Sequence, residues 1–380
     1  MDLHSILNKR YRLFVKRAAV KSSHSPTNMV WQRFCRSRSA VASLVVIALF
    51  TVVAILGYTI TPDSTPHCNQ QYLELATQKP MSKATFIYIR KEGAIESTGF
   101  LKKMIYGEPL SNTAIPIHRH NTIGDSIEIE TYTGSIPNDG EIKRYPKDEV
   151  EKIKTRRFIL GTDGYGRDVL SMIMIGSRVS LSVGFIAILI ALAIGITLGS
   201  IAAFYGKWID NMIMLLINIV WSIPTVLLVI AITFALGKGF WQIFIAVGLT
   251  MWVDIARVVR GQVFTIKEKE YIEATKALGY STYRTIFRHI LPNIMGSVIV
   301  IAASNFASAI LLEAGLSFLG IGVQPPMPSW GSMVKENYGY ILLDNAYLAI
   351  IPGLAIMTIV LAFMLLGNGI RDALDIKNPT

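Results

Sequence analysis

Two short stretches of the sequence carry residue types at spacings that enzymes use. Residues 315–319 (GLSFL) begin like the G-x-S-x-G turn that presents a nucleophilic serine, but Leu319 stands where the last glycine is needed. Residues 161–168 (GTDGYGRD) form a glycine-rich turn before a helix, but they lack the Gly-Lys-Ser/Thr ending of a phosphate-binding loop. We therefore expect no catalytic residue in this chain and no bound ATP, and we expect Asp163 and Asp168 to cap the helix.

Residues 270–292 (EYIEATKALGYSTYRTIFRHILP) form a polar stretch between two strongly apolar ones. Charged and unpaired backbone groups are costly in lipid, so the outward faces of this segment must be solvated or docked on a soluble partner. Its pattern predicts two short helices that meet at Gly279, where we expect a left-handed backbone. Pro292 closes the second helix and begins the next apolar run.

The composition is that of a membrane protein. The chain of 380 residues is 52% hydrophobic and only 17% charged, whereas soluble domains carry about 25% charged residues. The net charge of +11 divides among separate loops, which argues against nucleic-acid binding because that requires one basic face. Cys35 and Cys68 lie on either side of an apolar run and predict neither a disulfide framework nor a zinc site.

Uncharged runs divide the chain into membrane spans, each needing about 20 apolar residues. The six runs are residues 40–60, 179–206, 211–237, 239–253, 290–312 and 345–370. Pro224 is expected to kink or break the third span. The fourth run is short, so its helix must continue past Asp254, with Arg257 or Arg260 reaching the interface.

Residues 62–160 differ from the rest because charged residues are frequent and apolar residues alternate with polar ones. The alternation at 84–90 and 126–132 is typical of strands and predicts a small β-rich module outside the membrane. His118 and His120 would share one face of a strand, but no cysteine or carboxylate cluster accompanies them. We expect ordinary surface histidines there and no metal site.

The basic residues of the short loops predict the orientation. Nineteen lie on one side of the membrane and two on the other, and such an excess is typical of the cytoplasmic side. Both termini and the polar segment are therefore expected in the cytoplasm. Within the basic first 38 residues, residues 6–20 suit either an amphipathic helix on the inner leaflet or a solvated tail.

The predicted fold is an all-α polytopic membrane protein with six transmembrane helices and a small β-rich extracytoplasmic insert between helices 1 and 2. The parts are a basic cytoplasmic segment (1–38), helix 1 (39–61), the insert (62–160), and a core with helices 2–6 (161–380) that contains a cytoplasmic loop at 254–289.

Outside the insert, four stretches resemble the ABC importer permeases of the dipeptide/oligopeptide/nickel family, and specifically their C-type membrane subunit. The first is the basic RFCRSRS before helix 1, and the second is LGTDGYGRDVLS at 160–171, which matches the family signature GTDxxGRDVLS. The third is the cytoplasmic loop at 252–292, which resembles the family's EAA coupling loop. The last is AILLEAGLSFLG at 309–320, followed by PSWG at 328–331 and PGLA at 352–355.

The resemblance implies a set of partners. The chain would sit in the inner membrane, pair with a second permease subunit, rest on cytoplasmic ATP-binding subunits that bind the ATP, and receive solute from an extracytoplasmic solute-binding protein. The residues of the ATPase-coupling loop would be Glu273, Ala274, Gly279, Leu291 and Pro292. Glu273 would either contact the ATPase or cap a helix within the loop.

The sequence departs from the family pattern at three places. Thr275 stands where the third residue of the EAA signature is alanine, and His289 stands where isoleucine is usual. The insert at 62–160 is longer than the family's usual connector. These departures leave the transporter class intact, but they leave the substrate open among dipeptides, oligopeptides, nickel chelates and other small solutes.

Three further residues are candidates for function. Glu313, expected at the outer end of span five, is a pathway or gating candidate, or a structural partner. Asn305 faces the same choice, and a helix–helix hydrogen bond is favoured. Trp330 is expected to anchor at the interface or to contact the binding protein. The competing classes are a stand-alone channel or secondary transporter and, less favoured, an intramembrane protease.

Overall fold

The computed structural model describes residues 26–91, 99–134, 139–237 and 239–375. The helix considered at residues 6–20 lies outside them. The helices are α1 (Pro26–Arg36), α2 (Arg38–Leu56), α3 (Phe100–Tyr106), α4 (Val169–Tyr205), α5 (Lys207–Ser222), α6 (Thr225–Leu236), α7 (Phe240–Lys267), α8 (Glu270–Ala277), α9 (Thr282–Thr285), α10 (Leu291–Phe318), α11 (Trp330–Asn337) and α12 (Tyr347–Leu374).

Within the described residues, five helices are long and apolar enough to cross a membrane. They are Arg38–Thr59, Val169–Tyr205, Phe240–Lys267, Thr282–Phe318 and Tyr347–Leu374. The pair α5 and α6 makes a sixth if it is counted as one span, and its two helices are bent by 94°. The bend lies at Pro224, whose ring cannot continue a helix, so the break predicted there is confirmed.

The second span begins earlier than predicted, because α4 starts at Val169 rather than at residue 179 and contains Arg178. The Arg178 guanidinium donates to four backbone carbonyls, those of Ala54 and Ile55 at the end of α2 and of Met104 and Ile105 in α3. Carbonyls at a helix end have no partner within the helix, so the half-buried Arg178 guanidinium supplies hydrogen bonds that these four would otherwise lack.

The fourth span also continues further than its uncharged run. Residues 254–267, predicted as part of the cytoplasmic loop, are helical and belong to α7. Arg260 forms a bidentate ion pair with Asp210 near the start of α5, at 2.5 and 2.6 Å. Arg257 lies over the Trp221 ring, 3.8 Å from its centre. Both cations are therefore held by side chains of α5.

Close packing of α4 against α7 forms the centre of the helical core. A Cβ on Gly195 would lie 2.8 Å from the Trp252 carbonyl oxygen, and one on Gly199 would lie 2.5 Å from that of Ala256. Glycines four residues apart let two helix backbones approach closely, as is common within membranes. Buried side chains of α10 pack against the same pair of helices.

The predicted β-rich module is present as a five-stranded antiparallel sheet. Its strands are β1 (Ser82–Arg90), β2 (Asn112–Ile123), β3 (Ser126–Thr131), β4 (Ile142–Pro146) and β5 (Val150–Phe158), in the order β4-β3-β2-β1-β5. One face buries Phe86 and the other Ile87, as the alternation requires. His118 packs against the Tyr132 ring with centroids 4.4 Å apart.

The glycine-rich turn before α4 is held by its charged residues. Asp168 caps α4, accepting from the Ser171 N–H at 2.9 Å, which confirms its predicted role. Burial raises the pKa of Asp168, although the bonds from Ser171 oppose this. Asp163 does not cap α4 as predicted: it accepts from the Tyr165 N–H at 3.0 Å and from Arg167 Nε at 2.7 Å within the turn. Arg167 also reaches Glu336 in α11. The turn thus joins the start of α4 to α11.

Candidate functional site

The polar segment at 270–292 forms the predicted helix–turn–helix. Gly279 follows α8 and has φ +73°, so the left-handed turn is confirmed. The Tyr280 N–H donates to the Thr275 carbonyl at 3.0 Å, which is the capping bond of a helix that ends at a left-handed glycine. Ser281 then caps α9, its hydroxyl accepting from the Arg284 N–H at 3.3 Å.

The inner face of this segment packs on the body of the protein. Ile272, Thr275, Thr285 and Ile286 are buried. The Thr275 hydroxyl donates to the Ile272 carbonyl at 2.7 Å and lies 3.4 Å from the Thr285 hydroxyl. The departure from alanine at Thr275 therefore has a structural reason, since its hydroxyl links the two short helices from inside.

The outer face of the segment is apolar and exposed. Leu278 is 72% exposed and Tyr283 is 70% exposed, and the Phe287 ring packs against that of Tyr283 with centroids 4.3 Å apart. Tyr271 and Ala274 are also exposed, on α8. Several exposed apolar side chains on one short polar segment are typical of a protein interaction surface. We call these five residues the docking face.

Glu273 lies exposed on α8. The N–H groups of Ile272 and Glu273 are bonded to the Lys269 carbonyl. The Glu273 carboxylate makes no hydrogen bond or ion pair with any residue that the structure describes. No capping bond of the Glu273 carboxylate therefore occurs among the described residues, and its contact with a partner stays a prediction.

The segment joins the fifth span without a break in the helix. We expected Pro292 to close one helix and open another, but the helix runs on from Thr282 to Phe318. Residues 286–290 form a π-helical turn just before Leu291, and such turns are often found at functional sites. The Asn293 side chain donates to the His289 carbonyl at 2.6 Å beside the proline. The second short helix of the segment and the fifth span are therefore parts of one helix.

Glu313 is not at the end of the fifth span, because α10 continues to Phe318. It is fully buried, and its carboxylate accepts from the Ser180 hydroxyl at 3.1 Å and the Ser317 hydroxyl at 2.8 Å. Ser180 belongs to α4, so the acid links two spans. This geometry favours the structural alternative over a contact with a passing solute.

Asn305 makes the helix–helix bond that was favoured for it. Its Nδ2 donates to the Met251 carbonyl in α7 at 3.5 Å. The same side chain also lines a cavity of about 480 Å³ between the α5–α6 break, α7 and α10. Both of its expected roles are therefore compatible with where it lies.

The expected position of Trp330 is wrong. Its side chain is fully buried, its Nε1–H donates to the Ile173 carbonyl at 3.0 Å, and Phe50 meets its ring edge-on at 5.5 Å. Gly331 allows the close approach, since a Cβ there would lie 2.6 Å from Ala314. A side chain with no exposed surface can neither anchor at a lipid interface nor contact a binding protein.

Comparison with known proteins identifies the class of protein to which the chain belongs. Residues 195–377 match the family described as binding-protein-dependent transport system inner membrane component, and residues 25–80 match the N-terminal transmembrane domain of oligopeptide transport permease C. The chain is 44% identical over 217 residues to the dipeptide transport system permease protein DppC of Alkalihalophilus pseudofirmus, covering 57% of this chain and 71% of the relative.

Two further similarities were found. The chain is 41% identical over 218 residues to the glutathione transport system permease protein GsiD of Pectobacterium atrosepticum, covering 57% of this chain and 72% of the relative. Among solved structures, a chain of an inward-facing methionine ABC transporter aligns with a TM-score of 0.45 and 18% identity, over 54% of this chain and 98% of that one.

The apolar helices and the family matches define a multi-pass inner-membrane component of a binding-protein-dependent transport system. Within that class, the chain belongs to the dipeptide/oligopeptide/nickel family of ABC importer permeases, as a C-type membrane subunit.

Proposed function

We propose that this permease imports short peptides or similar small solutes, and that α8, Gly279 and α9 form the coupling site on which a cytoplasmic ATP-binding subunit acts. The observation that carries the proposal is the structure of this segment. Its docking face is exposed and apolar, its inner face is buried, and its second helix is continuous with a transmembrane helix. Movement of the ATP-binding subunit against the docking face would be transmitted through α9 to the transmembrane helix α10.

The proposed orientation places the docking face in the cytoplasm. The nineteen-to-two division of basic residues supports this orientation and places both termini on the same side. The sheet of β1–β5 then lies outside, where a solute-binding protein would deliver the substrate, and a second permease subunit completes the pathway. ATP binding and hydrolysis belong to the partner subunit, which shifts the permease between two conformations.

The proposed substrates are short peptides, because relatives that share about two fifths of their aligned residues with this chain carry dipeptide and glutathione in their names. A nickel importer is the alternative within the family. The names of the relatives, rather than a feature of the described residues, favour the peptide over nickel.

The test reverses one charge on α8. Glu273→Lys should leave membrane insertion intact but lower both co-purification of the ATP-binding subunit and ATP-driven uptake into proteoliposomes, because it reverses a charge on the exposed surface of α8 next to the docking face. Asp148→Lys makes the same charge change at an exposed turn between β4 and β5 and should leave both unchanged.

Normal co-purification and uptake by Glu273→Lys would contradict the proposed contact. A wild-type chain that is purified without any ATPase, and that conducts solute without ATP, would instead favour a stand-alone channel or secondary transporter.

A further inference from the structure

One acidic side chain in the fourth span has no partner. Asp254 lies near the middle of the 28-residue α7, and its side chain is exposed. It makes no hydrogen bond or ion pair with the residues that the structure describes. A carboxylate at this depth is costly against hydrocarbon, so it must face water, a solute or another protein.

The cations near Asp254 are already engaged elsewhere. Arg257, one turn along α7, lies over the Trp221 ring at 3.8 Å. Arg260 is held by both carboxylate oxygens of Asp210, at 2.5 and 2.6 Å. Basic residues therefore lie close to Asp254 in the sequence. In the structure their side chains contact α5 instead, so they do not compensate the charge of Asp254.

Asp254 lines the cavity between the α5–α6 break, α7 and α10. This cavity has a volume of about 480 Å³, which falls in the usual range of about 300–1,000 Å³ for small-ligand pockets. Its wall is largely apolar, and its polar groups come from each surrounding element. Beside Asp254 they are Thr225, Thr250, Asn305 and Ser308.

We propose that Asp254 binds the N-terminal ammonium group of a short peptide as the peptide crosses the membrane. The inference rests on the proposed import of peptides and deepens it, because it names the group that the pathway recognises. A free ammonium group is common to unmodified peptides of any sequence, so one carboxylate recognises them without discriminating among side chains. A charge-assisted bond in a site of low polarity is among the stronger interactions available to such a pathway.

Two other occupants fit the observations less well. A metal ion would need more ligands than one carboxylate, and no acidic, histidine or cysteine cluster of that kind occurs among the described residues. A basic residue of the second permease would pair with Asp254 across a packed interface. The concave wall with hydroxyl and amide groups around Asp254 is instead the form of a ligand pocket.

The test measures uptake of radiolabelled alanylalanine by the complete transporter in proteoliposomes, with the binding protein saturating. Asp254→Asn keeps the size of the side chain but removes its charge, and it should lower the initial rate about tenfold or more. Asp254→Glu should retain most of the rate, because the charge is kept. Asp344→Asn makes the same chemical change on an exposed loop and should behave as wild type.

Stimulation of ATP hydrolysis by the loaded binding protein is measured on the same preparations. It should persist in Asp254→Asn, which separates loss of substrate binding from loss of coupling. Wild-type uptake by Asp254→Asn would overturn the inference and leave the proposed function standing. Loss of the second permease from purified Asp254→Asn complexes would also overturn it, since Asp254 would then belong to the subunit interface. Absence of ATP-driven uptake by the wild type would overturn the proposed function, and this inference with it.

Discussion

Replacing Gly279 by alanine isolates the backbone conformation of the coupling turn. The residue has φ +73°, and a Cβ built there would meet no atom within 4 Å, so the added methyl group causes strain without a clash. A left-handed conformation costs a residue with a Cβ about 1–2 kcal/mol. That energy corresponds to a change of about five- to thirtyfold in an equilibrium constant. The docking-competent turn should become less populated by about that factor relative to other turn conformations.

The assay is ATP-driven uptake per ATP hydrolysed, measured on the reconstituted transporter. Gly279→Asn should be nearly normal because asparagine tolerates the left-handed region, Gly279→Ala should be impaired, and Gly279→Val should be impaired most. Gly124→Ala is the matched control, since Gly124 has φ +58° and equally open space in a hairpin of the sheet. Equal behaviour of the two alanine variants, or full activity of Gly279→Val, would refute the reasoning.

Two further predictions concern how the helices are held together. Asp210→Ala should lower the midpoint of thermal unfolding in detergent, because it leaves the Arg260 charge uncompensated. The double variant Asp210→Ala/Arg260→Ala should be destabilised by about 0.5–3 kcal/mol less than the sum of the single variants, and strict additivity would show that the pair is not coupled. Trp330→Ala should cost about 3–5 kcal/mol because it empties a fully buried site. Trp330→Phe should cost less, since it mainly loses the bond to the Ile173 carbonyl. Wild-type stability of Trp330→Ala, measured in the same way, would contradict the packing described here.

Hydropathy predicts the existence of the spans better than their ends. The uncharged runs located the helices, because burying apolar surface along some twenty residues is a local property. The ends were wrong wherever a charge within a helix finds a partner far away in the sequence. Arg178 stays inside α4 because it caps two other helices, and Arg260 stays inside α7 because Asp210 is near. Such pairings depend on tertiary contacts between residues far apart in the sequence. The hydropathy of a single segment therefore cannot predict them.

The same distinction separates the correct from the incorrect site predictions. Gly279 could be assigned a left-handed turn from sequence because the preference belongs to a single residue and its neighbours. Trp330 was misplaced because tryptophan is common both at membrane interfaces and in cores. What decides between them is the packing of Gly331 against Ala314 and of Trp330 against α4. The PSWG motif at 328–331, which contains these residues, therefore reflects the packing of α11 against α10.

Glu313 and Asp254, two of the acids within the spans, show why the role of an intramembrane carboxylate can be assigned only once its surroundings are known. The rule that such residues serve function applies equally to Glu313 and Asp254, although the sequence analysis assigned a possible role only to Glu313. In the structure, Glu313 is fully buried and accepts hydrogen bonds from Ser180 and Ser317. Its carboxyl group therefore links α4 to α10. Asp254 is exposed to a cavity, and its neighbouring cations are held by other groups. A carboxylate whose oxygens already accept hydrogen bonds within the chain is less available to bind a solute. A carboxylate without such bonds must find its hydrogen-bond partner in water, a solute or another protein. Of the two, Asp254 is therefore the acid through which the pathway can recognise its substrate.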